Sequence, residues 1–133
     1  MDYRVLGWVS VTLAVLAASP YWLRMLNNWT FKTRDKRFIN LLKVLRKVHK
    51  IAGLLLAAIA LYHGYLALGR NLRLHTGLLV YLSFALTAGL GAIHLLVKDK
   101  RAFKGHKVMA LVSFLLFLLH LLKPNALSAW FGI

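Results

Sequence analysis

Long runs without a charge alternate with short, strongly basic segments along the chain. Between successive Lys, Arg or Asp residues the uncharged runs cover residues 5–23, 51–69, 74–97 and 108–122. The first three contain 19, 19 and 24 residues, enough for a helix to cross a hydrocarbon core of about 30 Å. The fourth has 15 residues and extends through His106, Lys107 and Lys123, whose long basic side chains can snorkel to the interface. None of the runs alternates apolar and polar positions as a barrel strand would; all are continuous and rich in Leu and Ala, the helical type. The pattern predicts an all-α membrane protein. It is an up-and-down bundle of four transmembrane helices, with spans near residues 4–23, 47–69, 73–97 and 105–123 in a single domain over 1–133.

Two details refine the first half. Ala17-Ala18-Ser19 weakly resembles a signal-peptide cleavage site, but Pro20 follows it and the aromatic anchors Tyr21 and Trp22 come next, so the first span is retained. Pro20 is expected to kink or end that helix near the cytoplasmic interface. From Asp35 onward, Phe38, Ile39, Leu42, Leu45 and Val48 recur at helical spacing among Lys and Arg. This reads as a basic amphipathic interfacial helix on the anionic inner leaflet, leading into the second span.

Composition then narrows the chemistry. The 133 residues are 60% hydrophobic and include no cysteine, which excludes disulfides, thiolate catalysis and covalent haem attachment through C-x-x-C-H. There is no glutamate, and the only aspartates are Asp2, Asp35 and Asp99, so paired catalytic carboxylates and carboxylate proton relays have nothing to be built from. The formal charge of +15 is a topological signal. Fourteen of the 18 basic residues lie between the first and second runs or between the third and fourth, against Arg4, Arg70, Arg73 and Lys123 on the other side. The positive-inside rule puts both basic connections in the cytoplasm and both termini outside. The expected location is an integral, multi-pass protein of a membrane, a bacterial cytoplasmic membrane in the first instance. Nucleic acid drops out as a partner, because the basic residues are sorted between apolar spans instead of forming a face of a soluble fold. For the same reason the sequon Asn28-Trp29-Thr30, on a cytoplasmic connection, is chance.

Histidine is the remaining strong ligand. His49 and His63 are 14 residues apart in the second span, and His106 and His120 are 14 apart in the fourth. That interval is close to four helical turns, so each pair lies on one helix face about 21 Å apart. The two spans run in the same direction, which brings His49 level with His106 and His63 level with His120. Facing imidazoles at one depth are what a six-coordinate haem iron needs at its axial positions. Small residues accompany them: Gly53 and Ala60 on the second span, Ala110 and Ser113 on the fourth, Gly77 and Gly91 again 14 apart on the third, and Gly7, Ser10, Ala14 and Ala17 along the first. Each is ordinary packing in a membrane bundle; their agreement with the histidine interval is the signal.

Two helices each bearing His-x13-His, with glycines at the same interval on a neighbour, resemble dihaem transmembrane b-type cytochromes. That group includes cytochrome b of quinol-oxidising complexes and ferric-reductase-like transmembrane proteins. The resemblance covers His49 to His120 and lies in spacing rather than contiguous identity. It implies that His49 and His106 ligate one non-covalent b-type haem and His63 and His120 a second. It also implies that Arg46 sits near a haem propionate. The chain departs from cytochrome b in its later helices and quinol-site motif, and from ferric and NADPH oxidases in their flavin and nicotinamide domain. Quinol oxidation and NADPH use are therefore not implied.

His75 and His94 are secondary ligand candidates, at the depths of His63 and His106 respectively. Their 19-residue separation, about 28 Å along a helix, fits the other pairs poorly, and interfacial roles suit them better: a propionate hydrogen bond or a quinone contact. The expected function is a dihaem cytochrome carrying electrons across the membrane between the cytoplasmic and outer faces, working with redox partner proteins or quinone. The alternative is a haem-bearing, quinone-reactive membrane anchor for a separate redox enzyme. A transition-metal transporter or membrane oxygenase built on three-histidine layers is a third reading; the lack of intramembrane Asp, Glu or Cys weighs against it. The small-residue stripes can also pair spans into a homodimer or larger complex.

Overall fold

The structure, a computed structural model, describes residues 2–69, 75–124 and 126–131. Among the described residues there are helices and no strand. In chain order these are α1 (Tyr3–Leu26), a π-helical turn (Asn27–Phe31), α2 (Lys36–Ala67), α3 (Thr76–Val97), α4 (Lys100–Leu122) and a short α5 (Ala126–Phe131). The chain divides into two compact units, 1–59 and 60–133, with the boundary inside α2.

In the first unit the Asp2 carboxylate caps α1 by accepting from the Arg4 N–H at 3.0 Å, as an N-cap side chain should. The helix does not end at Pro20 but continues one and a half turns beyond it. Proline has no N–H for the carbonyl four residues back, and here the Ser19 hydroxyl takes that place, donating to the Leu16 carbonyl at 2.7 Å. The buried positions of α1 are Leu6 and Ser10, and Gly7, Ala14 and Ala17 are partly buried.

The π turn closes where Lys32 adopts a left-handed conformation (φ 46°) and its N–H donates to the Asn27 carbonyl at 2.6 Å. The Asp35 carboxylate then accepts from the Arg37 N–H at 3.2 Å and opens α2. The basic, apolar-striped stretch and the second uncharged run form one continuous 32-residue helix, because neither proline nor a left-handed residue interrupts them. Along its first half Phe38, Leu42, Leu45 and Val48 are partly buried, while Lys36, Arg37, Lys43, Arg46, Lys47 and Lys50 are exposed.

In the second unit α3 and α4 form an antiparallel hairpin. Lys98 (φ 60°) ends α3, its N–H donating to the His94 carbonyl at 2.9 Å, and the Asp99 carboxylate caps α4 through the Arg101 N–H at 2.8 Å. Val80, Ser83, Ala102 and Ser113 are buried, and residues this small let helix backbones approach closely. Ser113 and Thr87 join across the hairpin, hydroxyl to hydroxyl, at 3.0 Å. The Thr87 proton goes to the Ser83 carbonyl at 2.7 Å, so Ser113 is the donor. The six-residue α5, which the hydrophobic pattern does not predict, starts two residues after Pro124 with the Ala126 N–H donating to the Lys123 carbonyl.

Three helical stretches, Tyr3–Phe31, Thr76–Val97 and Lys100–Leu122, are long and apolar enough to cross a membrane. The large apolar side chains point outward: Leu54 is 75% exposed, Leu96 81% and Leu122 80%. A surface of this kind is costly in water and matched to lipid. The chain therefore fits a multi-pass integral membrane protein in a lipid bilayer.

Candidate functional site

The site is best followed along α3, where Thr76, Val80, Ser83, Thr87 and Gly91 lie on one face at helical spacing. Opposite them α4 carries His106, Ser113 and His120, seven residues apart and so also on one face.

His106 donates from Nδ1 to the Thr87 carbonyl at 2.8 Å. The approach is close at Gly91: a Cβ there would lie 3.0 Å from His106 Nδ1 and 3.3 Å from its Cε1, tight enough that the ring would have to shift by a few tenths of an ångström. One end of the hairpin thus holds an imidazole through a backbone carbonyl, against a glycine.

The other end repeats the device with a hydroxyl. His120 Nδ1 lies 2.9 Å from Thr76 Oγ1, and Thr76 donates its only proton to the Pro124 carbonyl. The Thr76 oxygen must then accept from His120 Nδ1–H. Gly77 is the matching glycine, for a Cβ there would stand 3.1 Å from His120 Cε1 and 3.1 Å from His75 Nε2.

His75 differs in kind. It precedes α3 as its N-cap, and its Nδ1 accepts from the Leu78 N–H at 3.1 Å. A neutral ring accepting at Nδ1 carries its proton on Nε2, so His75 is a hydrogen-bond donor at that nitrogen. Its ring lies 6.4 Å from that of His120, edge to face at 73°. His63, near the end of α2, completes this group, close enough to interact electrostatically with both His75 and His120.

His49 lies in the first unit, where Nδ1 donates to the Ala17 carbonyl at 2.7 Å. Ala17 sits in the turn that Pro20 loosens, since a proline ring crowds the carbonyls of the preceding turn. Arg46 is exposed one turn before His49, and at Gly53, one turn after it, an added Cβ would meet nothing within 4 Å. His94 donates from Nδ1 to the Asp99 carbonyl at 2.9 Å and lies over Phe103, ring centres 4.6 Å apart. Phe103 in turn stacks on His106 at 6.4 Å with the planes 8° apart.

Three of the four histidines singled out by spacing thus share one state, and His94 shares it with them. In His49, His106 and His120 the Nδ1 proton is fixed on an oxygen, which puts the lone pair on Nε2. That is the arrangement found in metal-bound imidazoles, whose other ring nitrogen is held by a carbonyl or similar acceptor. Among the described residues no three His, Asp or Glu side chains converge to hold a bare metal ion. An axial haem pair requires only two imidazoles.

Thr76 and the carbonyls of Ala17, Thr87 and Pro124 are hydrogen-bond partners in this network that spacing did not single out. A polar stripe of Thr76, Ser83 and Thr87 within an apolar span is the signal that could have found the first. The backbone carbonyls carry no residue signature. Arg70 and Arg73 lie outside the described residues. The chain matches no protein-family model, and no curated protein or solved structure shows significant similarity to it.

Proposed function

We propose that the chain is a dihaem b-type cytochrome that carries electrons across a membrane, with the uncharged part of α2 as its fourth span. The observation that carries this reading is the shared Nδ1–H anchoring of His49, His106 and His120, on histidines already picked out by a 14-residue interval. Each ring is held in one orientation and one tautomer, with Nε2 as the ligating nitrogen. His49 and His106 would serve one haem, and His63 and His120 the other. Gly77 and Gly91 give the rings of His120 and His106 room.

Two non-covalent haems would supply reversible one-electron chemistry at irons with both axial positions filled. The chain's own contribution is to orient the imidazoles, keep water away and set the local charge. An N–H held by a carbonyl makes its imidazole a stronger electron donor to the metal, favouring iron(III). Arg46, Lys47, Lys50, Lys104 and Lys107, near His49 and His106 in sequence, suit carboxylate groups of a macrocycle and favour the reduced form. The charge asymmetry supports a cytoplasmic position for these residues, with the termini outside. The first half of α2, with its exposed cations and partly buried apolar stripe, suits the inner membrane surface.

One observation favours the second reading, a quinone-reactive anchor for a separate redox enzyme. His75 offers Nε2–H rather than a lone pair, the donor a quinone carbonyl accepts. The test is a reduced-minus-oxidised spectrum of the purified protein. Sharp b-type bands support the proposal, and their absence from protein made with ample haem overturns it. Quinone reduction lost in His75→Asn with haem retained would favour the anchor.

A further inference from the structure

The segment joining α1 to α2 is wired together more tightly than a connection requires. Asn27 is buried, and its side chain clasps Thr33 from both sides: Oδ1 accepts from the Thr33 N–H at 3.0 Å and Nδ2 donates to the Thr33 carbonyl at 3.1 Å. Within the clasp the Lys32 N–H returns to the Asn27 carbonyl, and the Thr30 hydroxyl donates to the Leu26 carbonyl at 2.7 Å. Thr33 Oγ1 accepts from the Asp35 N–H at 3.3 Å. Lys32 sits at φ 46°, a backbone region where a side chain is strained and glycine is not.

Asn27, Asn28, Lys32, Thr33 and Arg34 line an open surface depression of about 310 Å³. Beside it Trp29 is 75% exposed and Phe31 74%. Between residues 24 and 37 there are five cations, Arg24, Lys32, Arg34, Lys36 and Arg37, and one carboxylate, Asp35. The Asp35 carboxylate is engaged in capping α2. Two cations and the Asn28 amide, next to two exposed aromatic rings at the end of a helix long and apolar enough to cross a membrane, match a phospholipid at the interface. The rings lie at headgroup depth, and the cations take the phosphate.

We propose that the turn between α1 and α2 is a binding site for the phosphate headgroup of an anionic phospholipid. Lys32 and Arg34 hold the phosphate, Asn28 adds an amide donor, and Trp29 and Phe31 lie against the acyl chains. The clasp by Asn27 keeps the cleft formed before the lipid arrives, so little ordering is spent on binding. The site rests on the membrane reading alone and stands or falls independently of the haems.

The test is native mass spectrometry of the full chain released from bilayers of phosphatidylcholine with and without phosphatidylglycerol. The parent should retain one phosphatidylglycerol in preference to phosphatidylcholine. Lys32→Gln/Arg34→Gln should lose it, and the equally discharged Lys43→Gln/Lys100→Gln should keep it. Asn27→Ala, which leaves every charge in place, should retain it several-fold less often, with helix content by circular dichroism unchanged in all variants. Equal loss in both charge variants, or full retention in Asn27→Ala, would overturn the site in favour of diffuse attraction. Binding of inorganic phosphate without retention of lipid would overturn the lipid assignment.

Discussion

The Thr76 hydroxyl receives a hydrogen bond from His120 Nδ1 at 2.9 Å and passes its own proton to the Pro124 carbonyl. One buried threonine therefore fixes the tautomer of an imidazole on α4 and ties the end of that helix to the start of α3. His106, at the opposite end of the hairpin, is held by a backbone carbonyl instead. The two rings have the same proton placement but acceptors of different strength, and only one of those acceptors can be removed by substitution.

Thr76→Val is the variant that removes it. The threonine is 2% exposed, and its loss leaves His120 Nδ1–H and the Pro124 carbonyl without their partner, a destabilisation of about 1–3 kcal/mol. Of the two one-electron waves in a redox titration, one should move to more positive potential, because a less polarised imidazole donates less to iron. Thr76→Ser should leave both waves and the thermal midpoint close to the parent. If both waves move equally in Thr76→Val, the hydroxyl does not act through His120.

Glycine substitutions separate ring accommodation from helix propensity. On α3, Gly91→Ala would put a methyl group 3.0 Å from His106 Nδ1, whereas Gly89→Ala meets nothing within 4 Å. Ordinary propensity favours alanine over glycine by about 1 kcal/mol. Gly89→Ala should therefore be neutral or stabilising, and Gly91→Ala destabilising with reduced haem content. Gly77→Ala should behave like Gly91→Ala at the other end of the hairpin. Thermal unfolding and haem content of the three purified variants check the ordering.

The proline in α1 predicts a coupling. Ser19 compensates the Leu16 carbonyl that Pro20 leaves without a backbone donor. Ser19→Ala should cost about 1 kcal/mol in the parent and nearly nothing in a Pro20→Ala background, where the alanine N–H takes over. A double-mutant cycle on thermal stability measures this; additive effects would mean the serine bond is incidental.

His75 caps α3 by accepting at Nδ1. His75→Ala should lose about 1 kcal/mol of stability as a lost N-cap and yet keep its full haem complement. His75→Asn, a good capping residue, should recover most of that stability. Loss of haem in His75→Asn would show that this ring ligates after all.

Much of this arrangement was legible because helix geometry is periodic. His106, Ser113 and His120 at seven-residue steps can only share a face, and Gly77 and Gly91, 14 residues apart like the two outer histidines, pointed to close approach, although what approaches is the imidazole ring itself. The continuation of α1 past Pro20 was not legible. It depends on whether a neighbouring hydroxyl can reach one carbonyl, which Ser19 does and another residue would not. The acceptors at Ala17, Thr87 and Pro124 were hidden for a related reason. Every residue has a carbonyl, and tertiary packing decides which of them meets a ring. His75 read as an interfacial residue by its spacing; its capping bond, which fixes the proton on Nε2, needed the backbone of the first turn of α3.

The central claim is that histidines at a 14-residue interval hold two haems, and haem per chain by pyridine haemochrome tests it most directly. The parent should contain two b-type haems. His49→Ala, His63→Ala, His106→Ala and His120→Ala should each lose one or both while circular dichroism keeps its helical signal, and His75→Asn should retain two. A parent without haem when haem is supplied in excess, or one whose haem content is indifferent to these four histidines, would contradict the account.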